Sequence, residues 1–209
     1  DLRKKIFLTI VILVVYRFGT FVRIPGIDSK VIQKIFSESA SNIFGMINLF
    51  SGGALERMSI FALNIMPYIT SSIIMQLLTS MYSPLEALKK EGDYGKVKIN
   101  QYTRYLTIVL AIFQSFGVYY ALSNSENSAF ISDSSIFLIT TIVSLVGGTV
   151  MLMWIGEKIT SAGVGNGISL IIFVGIVSSL PSTVVEVFTL LKSGAYTFLV
   201  VIMFFALFL

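Results

Sequence analysis

Four stretches of this sequence contain no charged residue: 58–85, 105–125, 134–156 and 159–185. Each is long enough to supply the roughly 20 mostly apolar residues that a helix needs to cross bilayer hydrocarbon. Residues 6–22 make a fifth stretch, interrupted by Arg17, and 193–209 make a sixth that stops among its own apolar residues. Soluble domains carry about 25% charged residues to cover their surface. Here the figure is 12%, with 55% hydrophobic, so lipid is the solvent that fits. The pattern predicts an all-α membrane protein: a polytopic helical bundle of five transmembrane helices plus the start of a sixth. The chain begins at Asp1 without Met and ends inside an apolar run, which reads as a fragment. The first run is longer than a signal-peptide core, and 21–26 offers no small-residue cleavage site.

The positive charges set the orientation. Lys and Arg in short loops mark the cytoplasmic side. With the N-terminus cytoplasmic, the inner segments carry Arg3, Lys4, Lys5, Lys89, Lys90, Lys96, Lys98, Arg104 and Lys158. The outer segments carry only Arg23, Lys30, Lys34, Arg57 and Lys192. This predicts spans at 6–23, 59–81, 105–122, 136–155 and 168–184, with a sixth starting at 195–209. An external segment covers 24–57, and a basic cytoplasmic loop covers 83–104. Pro25, Pro84 and Pro181 are expected near helix ends, where a missing N–H costs least.

No Cys and no His is present. Disulfides, thiolate chemistry, Cys or His zinc sites and imidazole catalysis are excluded together. No catalytic residue, metal site or cofactor is expected.

Several stretches are not plain spans. Residues 43–55, I-F-G-M-I-N-L-F-S-G-G-A-L, are apolar but only about half a bilayer long, as a re-entrant, interfacial or core helix would be. Gly52 and Gly53 next to it allow a sharp reversal and a hinge. Two readings fit: an interfacial helix among headgroups, or a short helix folded back into a cavity between spans. Irregular backbone at membrane depth needs protein or water around it. Ile65, Ile69 and Ile73 recur every fourth residue, as do Ile168, Ile172 and Ile176. Such stripes usually face lipid or a neighbouring helix; a hydrophobic constriction is the functional alternative. Arg17 is the one ionisable residue inside a span, either functional or snorkelling to the interface. In G-V-G-N-G at 163–167 no strand precedes the glycines and no Lys-Ser/Thr follows. It therefore reads as a turn capped by Asn166 or Gly167 rather than a phosphate cradle. The loop at 91–105 mixes basic and aromatic residues, and lipid headgroups are its default contact.

At these places the sequence resembles the SecY family, whose members form the central subunit of the protein-conducting channel. The resemblance is carried by R-I-P-G-I-D at 23–28, N-L-F-S-G-G-A-L at 48–55 and S-I-F-A-L-N-I-M-P-Y-I at 59–69. It continues in K-K-E-G-D-Y-G-K-V-K-I-N-Q-Y-T-R-Y at 89–105 and G-V-G-N-G-I-S-L-I-I-F at 163–173. It covers nearly the whole chain. It implies ten helices in two pseudo-symmetric halves around an hourglass pore, of which this chain is the first half and the start of helix six. The short external helix at 43–54, with Ile43, Phe44, Met46, Ile47, Leu49 and Phe50, would be the plug, hinged at Gly52 and Gly53. Ile65, Ile69, Ile172 and Ile176 would line the pore ring. Thr70 and Ile73 would belong to one lip of a lateral gate, and Lys96, Lys98 and Arg104 would meet cytoplasmic partners. Many relatives carry a basic pair where this chain has Lys96-Val97, which weakens the expected contacts there.

The function so implied is a passive conduit for unfolded secretory polypeptides, with lateral release of membrane segments into lipid. It would be a multi-pass protein of the bacterial cytoplasmic (inner) membrane. The implied partners are SecE and SecG subunits, the SecA ATPase, the ribosome, signal peptides and nascent chains, and lipids including anionic headgroups. Three rivals compete. An ion-coupled secondary transporter would want midplane carboxylates, and the spans hold none. An intramembrane protease would need a buried Asp or a Ser with a base. A structural scaffold leaves the glycine hinge and the broken helix unexplained.

Overall fold

The computed structural model describes residues 2–26, 51–123 and 134–192. The plug segment at 43–50 and the sixth run at 195–209 lie outside these residues. Six helices are described, here numbered in chain order: α1 Leu2–Gly19, α2 Met66–Met81, α3 Ser83–Lys90, α4 Asp93–Ser123, α5 Ser134–Ala162 and α6 Gly167–Lys192. Helix α2 packs on α4, α4 on α5 and α5 on α6, while α1 lies across α5 and touches α6. Among them, Ile136–Ala162 is by itself long and apolar enough to cross a membrane, at 27 residues.

The outer surface has the wrong polarity for water. Phe7, Val14, Phe18, Val109, Phe113, Ile139, Val143 and Val184 all stand largely exposed. Conversely, Thr20, Ser71, Thr107, Ser115 and Thr141 are fully buried between elements. Small hydroxylated residues let helices approach closely and bond to each other or to their own backbone, which suits association inside lipid. Ser71 Oγ and Thr107 Oγ1 share such a bond at 2.6 Å, tying α2 to α4.

Three boundaries differ from the sequence expectation for identifiable reasons. The second span, expected at 59–81, is helical only from Met66. Pro67 cannot donate an N–H to the carbonyl of Leu63, so a helix cannot run unbroken through it, while its locked φ suits the first turn of α2. Residues 51–65 instead form successive turns, with Met58 and Asn64 at positive φ (44° and 51°). So the last residues of the expected 43–54 helix, Ser51–Ala54, are turns too. The loop expected at 83–104 is mostly helix. Pro84 sits in the first turn of α3, where its locked φ helps rather than hurts. Glu86 and Lys90 pair at 2.7 Å one turn apart, and the lysine holds the exposed Glu86 carboxyl below its ordinary range. After a turn at Gly92 (φ 75°), α4 begins at Asp93, well before the expected 105. Pro181 lies inside α6 rather than near its end; membrane helices tolerate such breaks because neighbours re-satisfy the freed carbonyl.

Two buried clusters hold the bundle. Ile24, Leu55, Met58, Ala62 and Leu63 pack with Ala111 of α4 and Leu145 of α5. Tyr16, Phe61 and Ile65 pack with Leu152, Ile155 and Ile159 of α5 and Ile171 of α6. The first cluster centres on the turn-built segment, which also supplies Phe61 and Ile65 to the second. Its backbone is paired outward: Ile24 N–H donates to Met58 O at 2.9 Å and Ile60 N–H to Val22 O at 3.0 Å, beside an antiparallel bridge between Arg23 and Ser59. Gly148 of α5 makes room for it, since a Cβ there would run into the Ile60 carbonyl.

Candidate pore and gate surface

One isoleucine from each stripe's accessible part packs against the same buried cluster. Ile69, in the first turn of α2, and Ile172 of α6 both pack against the second cluster while keeping accessible surface. Ile176 stands one turn further along α6, 39% exposed and outside the cluster. Ile65 behaves differently. It is 1% exposed and enclosed by Tyr16, Phe61, Leu152, Ile155 and Ile171. The reason is its place in the turn segment, as the residue before α2 rather than part of it. In this arrangement it backs the accessible isoleucines instead of standing beside them.

Helix α2 divides cleanly into two faces. Pro67, Ser71, Met75 and Thr79 form a four-residue repeat that is buried, with Ser71 bonded to α4. Ile73, Leu77 and Met81 point the other way, 52%, 58% and 84% exposed. Thr70 lies between, its Oγ1 donating to Met66 O at 3.0 Å. The gate candidates Thr70 and Ile73 thus sit off the packed face, Thr70 partly buried and Ile73 exposed.

Gly52 and Gly53 both adopt positive φ, 63° and 79°, a conformation that glycine takes without steric cost. Gly52 is buried. A Cβ on it would lie 2.6 Å from Ser178 Oγ and 2.9 Å from Gly175 O, both of α6. The candidate hinge therefore sits against the same helix that carries Ile172 and Ile176.

Beside the first turn of α2 a cavity of about 500 Å³ is lined by Tyr68, Asn100, Arg104, Trp154, Glu157 and Ile168, among others. Ile168 is one turn before Ile172, so the cavity leads toward the isoleucines. Arg104 holds its wall together: Nε and Nη2 donate to Glu157 Oε1 and Oε2 at 2.8 and 2.7 Å. This pair joins α4 to α5 and leaves no local signal in the sequence, because its partners are 53 residues apart in the chain. The other two candidate contacts are on the outside of α4. Lys96 pairs with Asp93 at 3.3 Å, and Lys98 lies over the Tyr94 ring at 4.7 Å, where the tyrosine hydroxyl raises its pKa. Asn166 caps α6 as its sequence suggests, its Oδ1 accepting from Ile168 and Ser169 N–H at 3.0 and 3.3 Å. Thr9 ties the same loop to α1 by accepting from Val164 N–H at 3.2 Å.

Comparison with known proteins bears on the family and the fold. The SecY family model matches residues 59–209. A protein translocase subunit SecY from Rickettsia conorii is 52% identical over 205 residues, covering 97% of this chain and 47% of that protein. The subunit of the same name from Escherichia coli is 48% identical over 205 residues, 97% of this chain and 46% of the relative. The chain thus spans about half the length of the curated relatives it matches. Among solved structures, Sec61 in the canine ribosome-channel complex superposes with a TM-score of 0.62 at 19% identity, over 86% of this chain and 37% of the other. A structure described as a protein-conducting channel gives the same values.

Proposed function

The chain belongs to the SecY family, and from that premise we propose that it forms one half of a channel for unfolded polypeptides in the bacterial cytoplasmic membrane. The fold is a helical membrane bundle, and the curated relatives are named as translocase subunits. The observation that carries the reading is that Ile69 from α2 and Ile172 from α6 pack against one cluster, with Ile176 exposed one turn beyond Ile172. An aliphatic constriction excludes water and limits ion flow while it yields to an extended chain. The reading assigns Ile69, Ile172 and Ile176 to that constriction and Ile65 to the packing behind them.

The outward face of α2, with Thr70 and Ile73, would be one lip of a lateral gate, through which about 20 apolar residues of a passing chain reach lipid. The 43–50 segment would close the constriction from outside, turning on Gly52 and Gly53. Lys96 and Lys98 are the exposed cations for a cytoplasmic partner; Arg104 is engaged with Glu157. Energy would come from SecA or a translating ribosome, with SecE and SecG completing the complex, and no catalysis by this chain is required.

The test is a cysteine in place of Ile69 in the complete channel. It should crosslink to a stalled translocating chain, whereas Phe113→Cys, on the lipid-facing side of α4, should not. Equal labelling at both positions would overturn the assignment.

A further inference from the structure

A second cavity differs from the one beside Arg104 in its charge. It holds about 210 Å³ between the second half of α2, the end of α3 and the beginning of α4. Lys89 and Lys96 stand on its wall with Ser72, Gln76 and Asn100, and no carboxylate lines it. Among the described residues, the side chains of Lys89, Ser72, Gln76 and Asn100 make no hydrogen bond. Thr79 and Thr103, also on the wall, donate to their own helices at 2.8 and 2.9 Å. Lys96 reaches Asp93 at 3.3 Å, with side chains 70% and 99% exposed, and a pair so exposed contributes little. The neighbouring carboxylate of Glu86 is engaged by Lys90 at 2.7 Å. What faces the cavity is therefore a set of N–H and O–H donors carrying two positive charges.

A wall that only meets water mixes charges of both signs, as the first cavity does through Arg104 and Glu157. Here donors of one sign approach from three helices, which suits a tetrahedral oxyanion, and charge-assisted bonds to phosphate oxygens are the strong ones. At about 30 Å³ per water, the cavity has room for a phosphate group and several waters. Its surroundings are apolar on one side: Leu77, Leu78, Met81 and Tyr82 all stand exposed on the neighbouring turns. A lysine stem lies along such a surface while its ammonium reaches headgroup depth, where tyrosine is also favoured. We propose that this cavity binds a phosphate group, carried by a phospholipid headgroup or free in solution, through Lys89, Lys96, Gln76 and Asn100. The site goes beyond the channel reading and does not depend on it. It also separates Lys96 from Lys98, which lies over the Tyr94 ring and off the cavity wall. A phosphate held there ties the end of α3 to both α2 and α4.

The experiment uses the complete channel with its partner subunits, stripped of lipid in a neutral detergent. Three probes are titrated: dioleoyl-phosphatidylglycerol, dioleoylglycerol with the same chains and no phosphate, and inorganic phosphate. Native mass spectrometry measures bound lipid, and phosphorus NMR line width reports inorganic phosphate. Phosphatidylglycerol should bind at least about tenfold more tightly than dioleoylglycerol, the margin that one charge-assisted hydrogen bond supplies. Lys89→Gln combined with Lys96→Gln should remove that margin. Lys98→Gln deletes the same charge two residues from Lys96 and should change binding by under about twofold, as a screened charge off the site does. Gln76→Leu and Asn100→Leu leave the charge intact and should each weaken binding by about threefold. Line broadening of inorganic phosphate that needs Lys89 and Lys96 supports the soluble source; lipid binding without it supports the headgroup. Equal binding of the two lipids, together with no response to inorganic phosphate, overturns the site. So does an equal loss from Lys96→Gln and Lys98→Gln, which marks a diffuse basic surface. Should the double lysine variant fail to assemble, Gln76→Leu decides: unchanged binding of every probe overturns the site.

Discussion

Residues 58–65 and 66–81 belong to one uncharged run, and they end up with opposite characters. The first stretch has no helix, two non-glycine residues at positive φ, and Met58, Ser59, Phe61, Ala62, Asn64 and Ile65 all at most 4% exposed. The second is a regular helix that leaves Ile73, Leu77 and Met81 more than half exposed. The least regular backbone is the most buried. In lipid this follows from hydrogen bonding. A helix satisfies its own N–H and C=O groups and can present any apolar face outward, whereas a run of turns has to be surrounded by protein. The turn segment meets that demand by bonding to 22–24 and by packing against α1, α4, α5 and α6.

The comparison can be broken most severely at Gly148. A side chain there meets the Ile60 carbonyl, and two backbones would have to part. Gly148→Val is expected to abolish folded, assembled channel, read as loss of protease-resistant complex after membrane extraction. A parental yield of that complex would mean that the turn segment is free to shift.

Next in size is the contrast between a buried and an outward apolar side chain from the two stretches. Phe61→Ala is expected to cost about 3 kcal/mol, the lower part of the range for core phenylalanines. The lower end applies because lipid rather than water surrounds the alternative state and packing supplies most of the gain. Leu77→Ala should cost under about 0.5 kcal/mol. Thermal unfolding of the complete channel in detergent measures both, and equal values would remove the distinction between the two regions.

A finer probe is Asn64, at φ 51°. Asn64→Ala and Asn64→Gly lose the same side-chain contacts, so their difference isolates the backbone. Alanine is expected to be worse by about 1 kcal/mol, measured in the same melts. No difference would place Asn64 in ordinary helical backbone.

The smallest expected effect is outside the comparison proper, at the Arg104–Glu157 pair. With side chains 47% and 31% exposed, a double-mutant cycle with Arg104→Gln and Glu157→Gln should give under about 1 kcal/mol of coupling. That value should shrink further as salt rises. A larger coupling, approaching the Phe61 value, would mark the cavity wall rather than the turn segment as the anchor of this half.

The uncharged runs announce the helices, because about twenty apolar residues in a row leave a chain few alternatives. The cap at Asn166 is legible for a local reason: its side chain acts within three residues. Two further local signals correct the expected boundaries. Pro67 marks a helix start, and Glu86 with Lys90 one turn later marks a helix in the stretch expected as a loop. What the sequence does not carry is which apolar residues face inward. Ile65 and Ile69 share a spacing and a chemistry, and only the packing of α5 and α6 around the turn segment distinguishes enclosed from accessible. The pairing of Arg104 with Glu157 is likewise a property of two helices lying side by side.

Helix α4 runs unbroken for 31 residues, about 46 Å at 1.5 Å per residue, and only its later part lies in an uncharged run. Its polar beginning, with Lys96 and Lys98, and its buried Thr107 are two points on one rod. The Arg104–Glu157 pair braces that rod against α5, and the Ser71–Thr107 bond fastens it to α2. One continuous helix thus carries the basic segment at one end and, beyond the ion pair, the bond that fastens the buried face of α2.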